Sequence, residues 1–428
     1  MVDSVTQQPR RKRLANKGRQ STHVLSVNGR IALWRRWWHS SASGSTVPAD
    51  ELIDRRGQTV TCGVIEMAAR LNNDGTSFDA AAENLARTAS VKMSGAQLRK
   101  LVIAAGQSVL AAQRSAAIPT AFQAAECPAD PADPSSPTRL YTGVDGVMVP
   151  IVTDAEKVKR RKAIKQKRQR SGKKCRPLPP RRKGSDEKFK EFKIVTFYDE
   201  TGKHWHEALT RGRWHTVGAL LRREARRLNF AAADEKIANV DGATRIRNQL
   251  EAKPRELPLD GLGLDFYHLA ENVHKSRRIV FGDDSDAGRT WAENLLHTLK
   301  HEGYESAWEQ LLTWRRALRS RTKKAEADRL IHYVLERREM INYPEFQKRG
   351  WQIGSGPTES RCKTSTSRLK GRGRRWDMPN AEAVAALTTL RDSGQWNLFW
   401  PNPATTKTEH AISRSRIALV EISEFGYV

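Results

Sequence analysis

The stretch WQIGSGPTESRCK, from Trp351 to Lys363, decides how this chain is read. Gly354, Ser355, Gly356 and Pro357 bend the backbone, and proline is well placed in the first turn of a helix. Glu359 then falls in that first turn, where the helix dipole favours an acid by about 0.3–1 kcal/mol. Arg361 and Lys363 follow at once. An acid set among cations at a helix start has two readings. It is a dipole-stabilising surface residue, or it is a working carboxylate whose basic neighbours hold an anion.

The rest of the chain says what that anion would be. At 428 residues it has room for two or three domains and a substantial core. Hydrophobic residues make up 38%, too many for a disordered chain, so the charge is carried on a folded protein. Lysine and arginine number 75 against 48 acids, and 75 − 48 gives a net charge of +27. Such a surplus points to a polyanion partner, for a soluble protein usually nucleic acid. A ribosome-associated protein or one touching an anionic membrane would share it. No run of about 18 apolar residues occurs, so no bilayer span is expected. The N-terminus has no hydrophobic signal core, which points to a cytoplasmic, nucleoid-associated protein. Cys62, Cys127, Cys175 and Cys362 are far apart and form no CxxC pair, which argues against a disulfide framework or a zinc site.

Residues 1–22 read as a basic flexible arm with Arg10, Arg11, Lys12 and Arg13 at its centre. Residues 23–115 read as a hairpin followed by helices. In HVLSVNGRIALWRRWWH (23–39) the pattern alternates around Asn28-Gly29, a strong hairpin signal. Trp34, Trp37 and Trp38 stand among arginines there, suited to stacking on nucleic acid or to covering a small core. SFDAAAENLARTASVKMSGAQLRKLVIAAGQSV (77–109) reads as helix, turn, helix, with Ala81, Leu85, Leu98, Leu101 and Val102 at helical spacing and Ser94 as an N-cap. That is the outline of a helix-turn-helix, although any helical hairpin shares it. Residues 116–138, rich in Pro and Ala, read as a linker.

From 139 the character changes. RLYTGVDGVMVPIV is a strand-like run holding Asp145. Fifteen lysines and arginines then lie between Lys157 and Lys183 with no acid among them. With Pro177, Pro179 and Pro180, residues 157–188 read as an exposed basic loop. Strands are expected at FKIVTFYD (192–199), HWHEALT (204–210), KIANVDGA (236–243, carrying Asp241) and GLGLDFYHLA (261–270, holding Asp265 and His268), with a helix near 213–228. Residues 270–342 read as a helical insertion with Trp291, Leu295, Leu299, Trp308, Leu311, Leu312, Leu330, Val334 and Leu335 as core. A last helix at about 380–393 closes a domain of 139–400, and 401–428 reads as a tail.

Asp145 and Asp241 each follow a strand-like run and precede a glycine, and Glu359 opens a helix. A sheet can bring two strand acids and one helix acid to a shared edge. Like charges that close repel unless cations neutralise them. Two divalent metal ions would do so and would provide the chemistry for in-line attack on a phosphodiester. Each acid alone has a plain alternative, since Asp-Gly after a strand is a common turn.

These residues carry a resemblance. YTGVDGVMVP, ANVDGATRIRNQ, LDFYHLAE and IGSGPTESRCK with the following RLKGRGRRW resemble, in order, the motifs of DDE transposases of bacterial insertion sequences, nearest to the ISKra-type group related to Mutator-like transposases. The resemblance covers about residues 139–393. It implies an α/β RNase H-like fold with an all-helical insertion before the last acid, behind a mostly helical DNA-binding region. It implies that Asp145, Asp241 and Glu359 form a catalytic triad holding two Mg²⁺ (Mn²⁺ possible), with Asp265 and His268 supporting the active site. The activity implied is transposition: binding of terminal inverted repeats, metal-dependent cleavage and strand transfer. Partners would be element ends, target DNA and further copies of the chain on DNA. Lys159, Arg160, Arg161, Lys162, Lys167 and Arg168, and Arg361, Lys363, Arg368, Lys370, Arg374 and Arg375, would contact the DNA backbone. Relatives tend to carry cysteine pairs after the hairpin where this chain has serines, so no zinc is expected there. The alternative is a non-catalytic DNA-binding protein or repressor.

Overall fold

The computed structural model describes residues 14–41, 44–47, 59–172, 174–251, 253 and 256–400. Most of the expected N-terminal arm and the whole C-terminal tail lie outside the described residues. The chain divides into two compact units, one made of residues up to 111 with Pro379–Leu387, the other of the remainder.

In the first unit, β1 (Ala15–Ser26) and β2 (Gly29–Ser40) form an antiparallel hairpin, and β3 (Gly44–Thr46) pairs with β2. Two expectations are corrected here. Residues 15–22 are strand rather than a free arm, because Arg19 and Gln20 pair opposite Arg36 and Arg35. The turn is centred on Val27-Asn28, one residue earlier than expected, with Gly29 opening β2 at a φ of +97°. Ser26 fixes it: its hydroxyl donates to the Gly29 carbonyl at 2.9 Å and accepts from Asn28 N at 3.2 Å. Trp34 is 68% exposed. The helices are α1 (Cys62–Asp74), α2 (Phe78–Ala89) and α3 (Gly95–Arg114). Ser94 caps α3, accepting from Gln97 N at 3.2 Å, and Ala81, Leu85, Leu98, Leu101 and Val102 are buried.

In the second unit, residues 116–138 are not a loose linker. Phe122, Ala124 and Cys127 pack into the main core, which is what holds an aperiodic stretch in place. The unit is a mixed α/β structure built on a five-stranded sheet in the order β6-β5-β4-β7-β8. Strands β4 (Arg139–Pro150), β5 (Phe189–Asp199) and β6 (Trp205–Thr210) form an antiparallel meander. Strands β7 (Glu235–Val240) and β8 (Gly261–Leu264) run parallel to β4. One face of the sheet, with Leu140, Val144, Val195, Phe197, Ala238, Val240 and Leu264, belongs to the main core shared with α5 (Trp214–Arg227) and α6 (Thr244–Leu250). The other face carries Tyr141, Tyr198 and Ile237 against Phe346 and Trp351, and Val147 and Ile194 against Cys362.

The expected basic loop is half helix. α4 runs Asp154–Arg170 and starts with a capping box between Thr153 and Glu156. Lys, Arg, Gln and Ala are good helix formers, and the three prolines lie beyond the helix end. None of its residues is buried.

After β8 comes the helical insertion: α7 (Phe266–Phe281), α8 (Asp286–His301), α9 (Tyr304–Ala317) and α10 (Arg321–Leu335). Leu295, Leu299, Leu311, Leu330 and Val334 are buried, whereas Leu335 is 37% exposed. Trp314 fills the aromatic core instead, with its ring centroid 4.3 Å from that of Trp291. The short α11 (Tyr343–Lys348) leads to α12 (Gly356–Lys370), then α13 (Met378–Asp392) and α14 (Trp396–Phe399).

Candidate active site

Strand register assembles the site. In the parallel pair β4–β7, Arg139 faces Glu235 and Thr142 faces Ala238, a constant offset of 238 − 142 = 96. In β7–β8, Ile237 faces Gly261 and Val240 faces Leu264, an offset of 264 − 240 = 24. The β4–β7 pairing ends three residues before Asp145, and the β7–β8 pairing ends at the residues just before Asp241 and Asp265. Alternation then decides the face. Tyr141, Ile237 and Gly261 all lie on the side of Trp351, and Asp145, four residues further along β4, shares that side. Asp241 directly follows β7 and Asp265 directly follows β8.

The same face receives α12. Gly143 is the reason it can approach: a Cβ there would stand 2.1 Å from Thr358 Oγ1. Thr358 Oγ1 in turn lies 2.9 Å from Thr196 Oγ1. Glu359 lies in the first turn of this helix, with 36% of its side chain exposed. One turn on is the buried thiol of Cys362. It is pushed above its ordinary pKa by burial first, then by the charge of Asp145, with Glu207 and Glu359 adding to it. Cys362 thus packs the glutamate helix against Val147 of β4 and Ile194 of β5. Nothing about its spacing in the sequence marks it for that role.

Asp145 also accepts from Gly146 N at 2.6 Å, and Asp241 accepts from Ala243 N at 2.8 Å. The Tyr333 phenol is pushed up by burial and, against the pull of Arg337, by the charges of Asp241 and Asp265.

Asp265 and His268 were expected within a strand, but β8 ends at Leu264 and Asp265 is the N-cap of α7. The GLGLD run hides this break, because a capping aspartate also looks like the end of a strand. Asp265 is 1% exposed, and both of its oxygens accept backbone hydrogen bonds. Oδ1 accepts from Tyr267 N at 2.6 Å and His268 N at 3.0 Å, and Oδ2 accepts from Ser355 N. Ser355 Oγ donates to Glu359 Oε1 at 3.4 Å, and His268 Nε2 lies 3.2 Å from the same oxygen. Asp265 therefore anchors both the loop before Glu359 and the helix bearing its histidine neighbour.

The donor chemistry fits a hard divalent cation. Asp145, Asp241 and Glu359 offer carboxylate oxygens, the ligand type Mg²⁺ and Mn²⁺ prefer. Asp265 is spent on N–H donors. Among the described residues no three His, Cys, Asp or Glu side chains form a ready-made ligand set.

The twelve cations expected on DNA divide sharply. On α4, Lys159, Arg160, Lys162 and Lys167 are exposed. Arg161 instead donates to the carbonyls of Pro179 and Leu178, and Arg168 to that of Arg176, bracing the returning chain. Beyond Glu359, Lys363 and Lys370 are exposed, while Arg361 stacks 4.2 Å over the Trp205 ring. Three others are engaged within the fold. Arg368 is 4% exposed, lies 5.3 Å over Trp376 and has its pKa lowered to about 10 by burial and by Arg374. Arg374 donates to the Arg368 carbonyl at 2.8 Å. Arg375 pairs with Glu156 and donates to the Ile151 carbonyl at 3.0 Å.

Among the described residues no helix is long and apolar enough to cross a membrane. No protein-family model matches the chain, and no curated protein matches it. Among solved structures it is similar to the Drosophila P element transposase strand transfer complex, at 10% identity and a TM-score of 0.27 over 81% of this chain and 83% of that one. A likeness of that strength says nothing about activity.

Proposed function

We propose that the second unit is an RNase H-like DDE nucleotidyl-transfer domain and that the protein is a DNA transposase. The observation that supports this best is the packing of the helix that carries Glu359 against β4, the strand that holds Asp145, with Asp241 directly after the neighbouring strand β7. In this reading the three carboxylates hold two Mg²⁺, or Mn²⁺, between them. When bound, such ions would lower the pKa of an attacking water or 3′-hydroxyl and stabilise the leaving oxygen. The protein's own task is placement. Ser355 and His268 steady Glu359, and Asp265 locks the elements bearing them. Lys363 and Lys370 on α12, and the exposed cations of α4, would hold the phosphates of element ends and target DNA. Further copies of the chain on paired ends complete the reading.

The test is cleavage of DNA bearing the sequences that flank the gene. Asp145→Ala and Asp241→Ala should each abolish metal-dependent cutting while DNA binding is retained. Cutting that survives in either variant removes that residue from the triad. Binding without cutting in the wild type would favour a non-catalytic DNA-binding protein or repressor.

A further inference from the structure

Tyr267 sits between the capping Asp265 and His268, yet 69% of it is exposed, the largest value among the exposed hydrophobic residues of the described chain. Its ring is held at the site: a Cβ on Gly354 would lie 3.3 Å from it, so it rests on the loop that leads to Glu359. An open groove of about 830 Å³ begins there and follows α7, lined by Tyr267, Glu271, His274, Lys275 and Arg278 among others. These residues recur at the spacing of one helix face, and the eleven steps from 267 to 278 carry the stripe about 16 Å along the helix from Tyr267. Lys275 is exposed, and Arg278 has half of its side chain exposed, 4.0 Å from Asp283. The one acid of the stripe, Glu271, is turned toward His268 at 3.4 Å.

An aromatic ring at the mouth of a cation-lined groove is the arrangement that holds a single nucleic acid strand: the ring stacks a base, and the cations follow the phosphates. Duplex DNA offers no free base face to such a ring. We propose that the α7 groove is a track for an unpaired DNA strand leading into the carboxylate site, with Tyr267 stacking the base next to the reacting phosphate. The proposal rests on the DNA-processing reading above and adds to it the strandedness of the substrate at this point. It involves no covalent step. The ring supplies the stacking face, so phenylalanine should serve as well as tyrosine.

The test compares equilibrium binding of the full chain to two fluorescent DNAs of equal sequence, one fully duplex and one with a single-stranded flank. Tyr267→Ala should weaken binding to the flanked DNA by about tenfold or more and leave the duplex nearly unchanged, while Tyr267→Phe stays within about twofold of the wild type on both. Lys275→Gln with Arg278→Gln should lessen the salt dependence on the flanked DNA by about one unit of slope for each phosphate no longer neutralised. If Tyr267→Ala matches the wild type on both DNAs, or weakens both equally, the stacking role is overturned while the transposase reading stands. A wild-type protein that binds neither DNA overturns both.

Discussion

Two segments of this chain look alike on paper. Residues 157–170 and 361–375 are both dense in lysine and arginine, yet the fold uses them differently. On α4, Lys159, Arg160, Lys162 and Lys167 are exposed, and no residue of the helix is buried. Past Glu359, Arg368 is buried on Trp376, Arg374 closes the end of α12, and Arg375 is tied to Glu156. Charge per residue therefore does not say which cations are available to a polyanion. What decides is whether the helix bearing them has a packed face. α4 has none, whereas α12 lies on the sheet, and its long side chains are drawn into the packing.

The sharpest way to break that contrast is stability. Arg368→Ala should cost about 2–4 kcal/mol, because it empties a buried, stacked site. Urea unfolding would show it, and an unchanged midpoint would mean that Arg368 is as free as a surface cation. Next in size, changing Lys159, Arg160, Lys162 and Lys167 together to Gln should lower DNA affinity about a hundredfold near physiological salt and flatten the salt dependence by about three to four units of slope, with no loss of stability. A fall in Tm without a change in slope would reverse the assignment. Arg375→Ala should be milder, about 1 kcal/mol, since Glu156 and Arg375 are only partly buried.

The smallest effect concerns the bed of α12. Ser365 donates to Glu207 at 2.5 Å, and the carboxyl of Glu207 is pushed up to about 8 by burial and by Asp392, with Ser365, Arg361 and Arg391 pulling the other way. A raised acid is favoured in its protonated form, so its contribution is full below about pH 4.5 and is lost as pH rises through about 8. Glu207→Gln should therefore gain a few degrees of Tm over the wild type at pH 8–9 and little at pH 5. Parallel melting curves across that range would contradict it.

Much of the sheet was legible, because strands such as FKIVTFYD are apolar runs bounded by turn residues. The helix start at Glu359 was legible from Gly-Ser-Gly-Pro. The offsets of 96 and 24 that set β4, β7 and β8 side by side were not, since register depends on pairings between segments far apart in sequence. α4 was missed because prolines downstream drew the whole segment into a loop. The break at Asp265 was missed because capping and strand ending use the same residue. The fate of Arg368 could not be read from sequence at all: burial of a cation depends on Trp376 arriving beside it.

The proposed chemistry depends on the carboxylates acting together. The measurement that tests it most directly is a nicking assay with Mg²⁺ on DNA carrying the flanking ends, comparing the wild type with Glu359→Ala. Cuts at the element boundary that require metal and vanish in Glu359→Ala are the predicted result. Cutting by Glu359→Ala at the wild-type rate would contradict it.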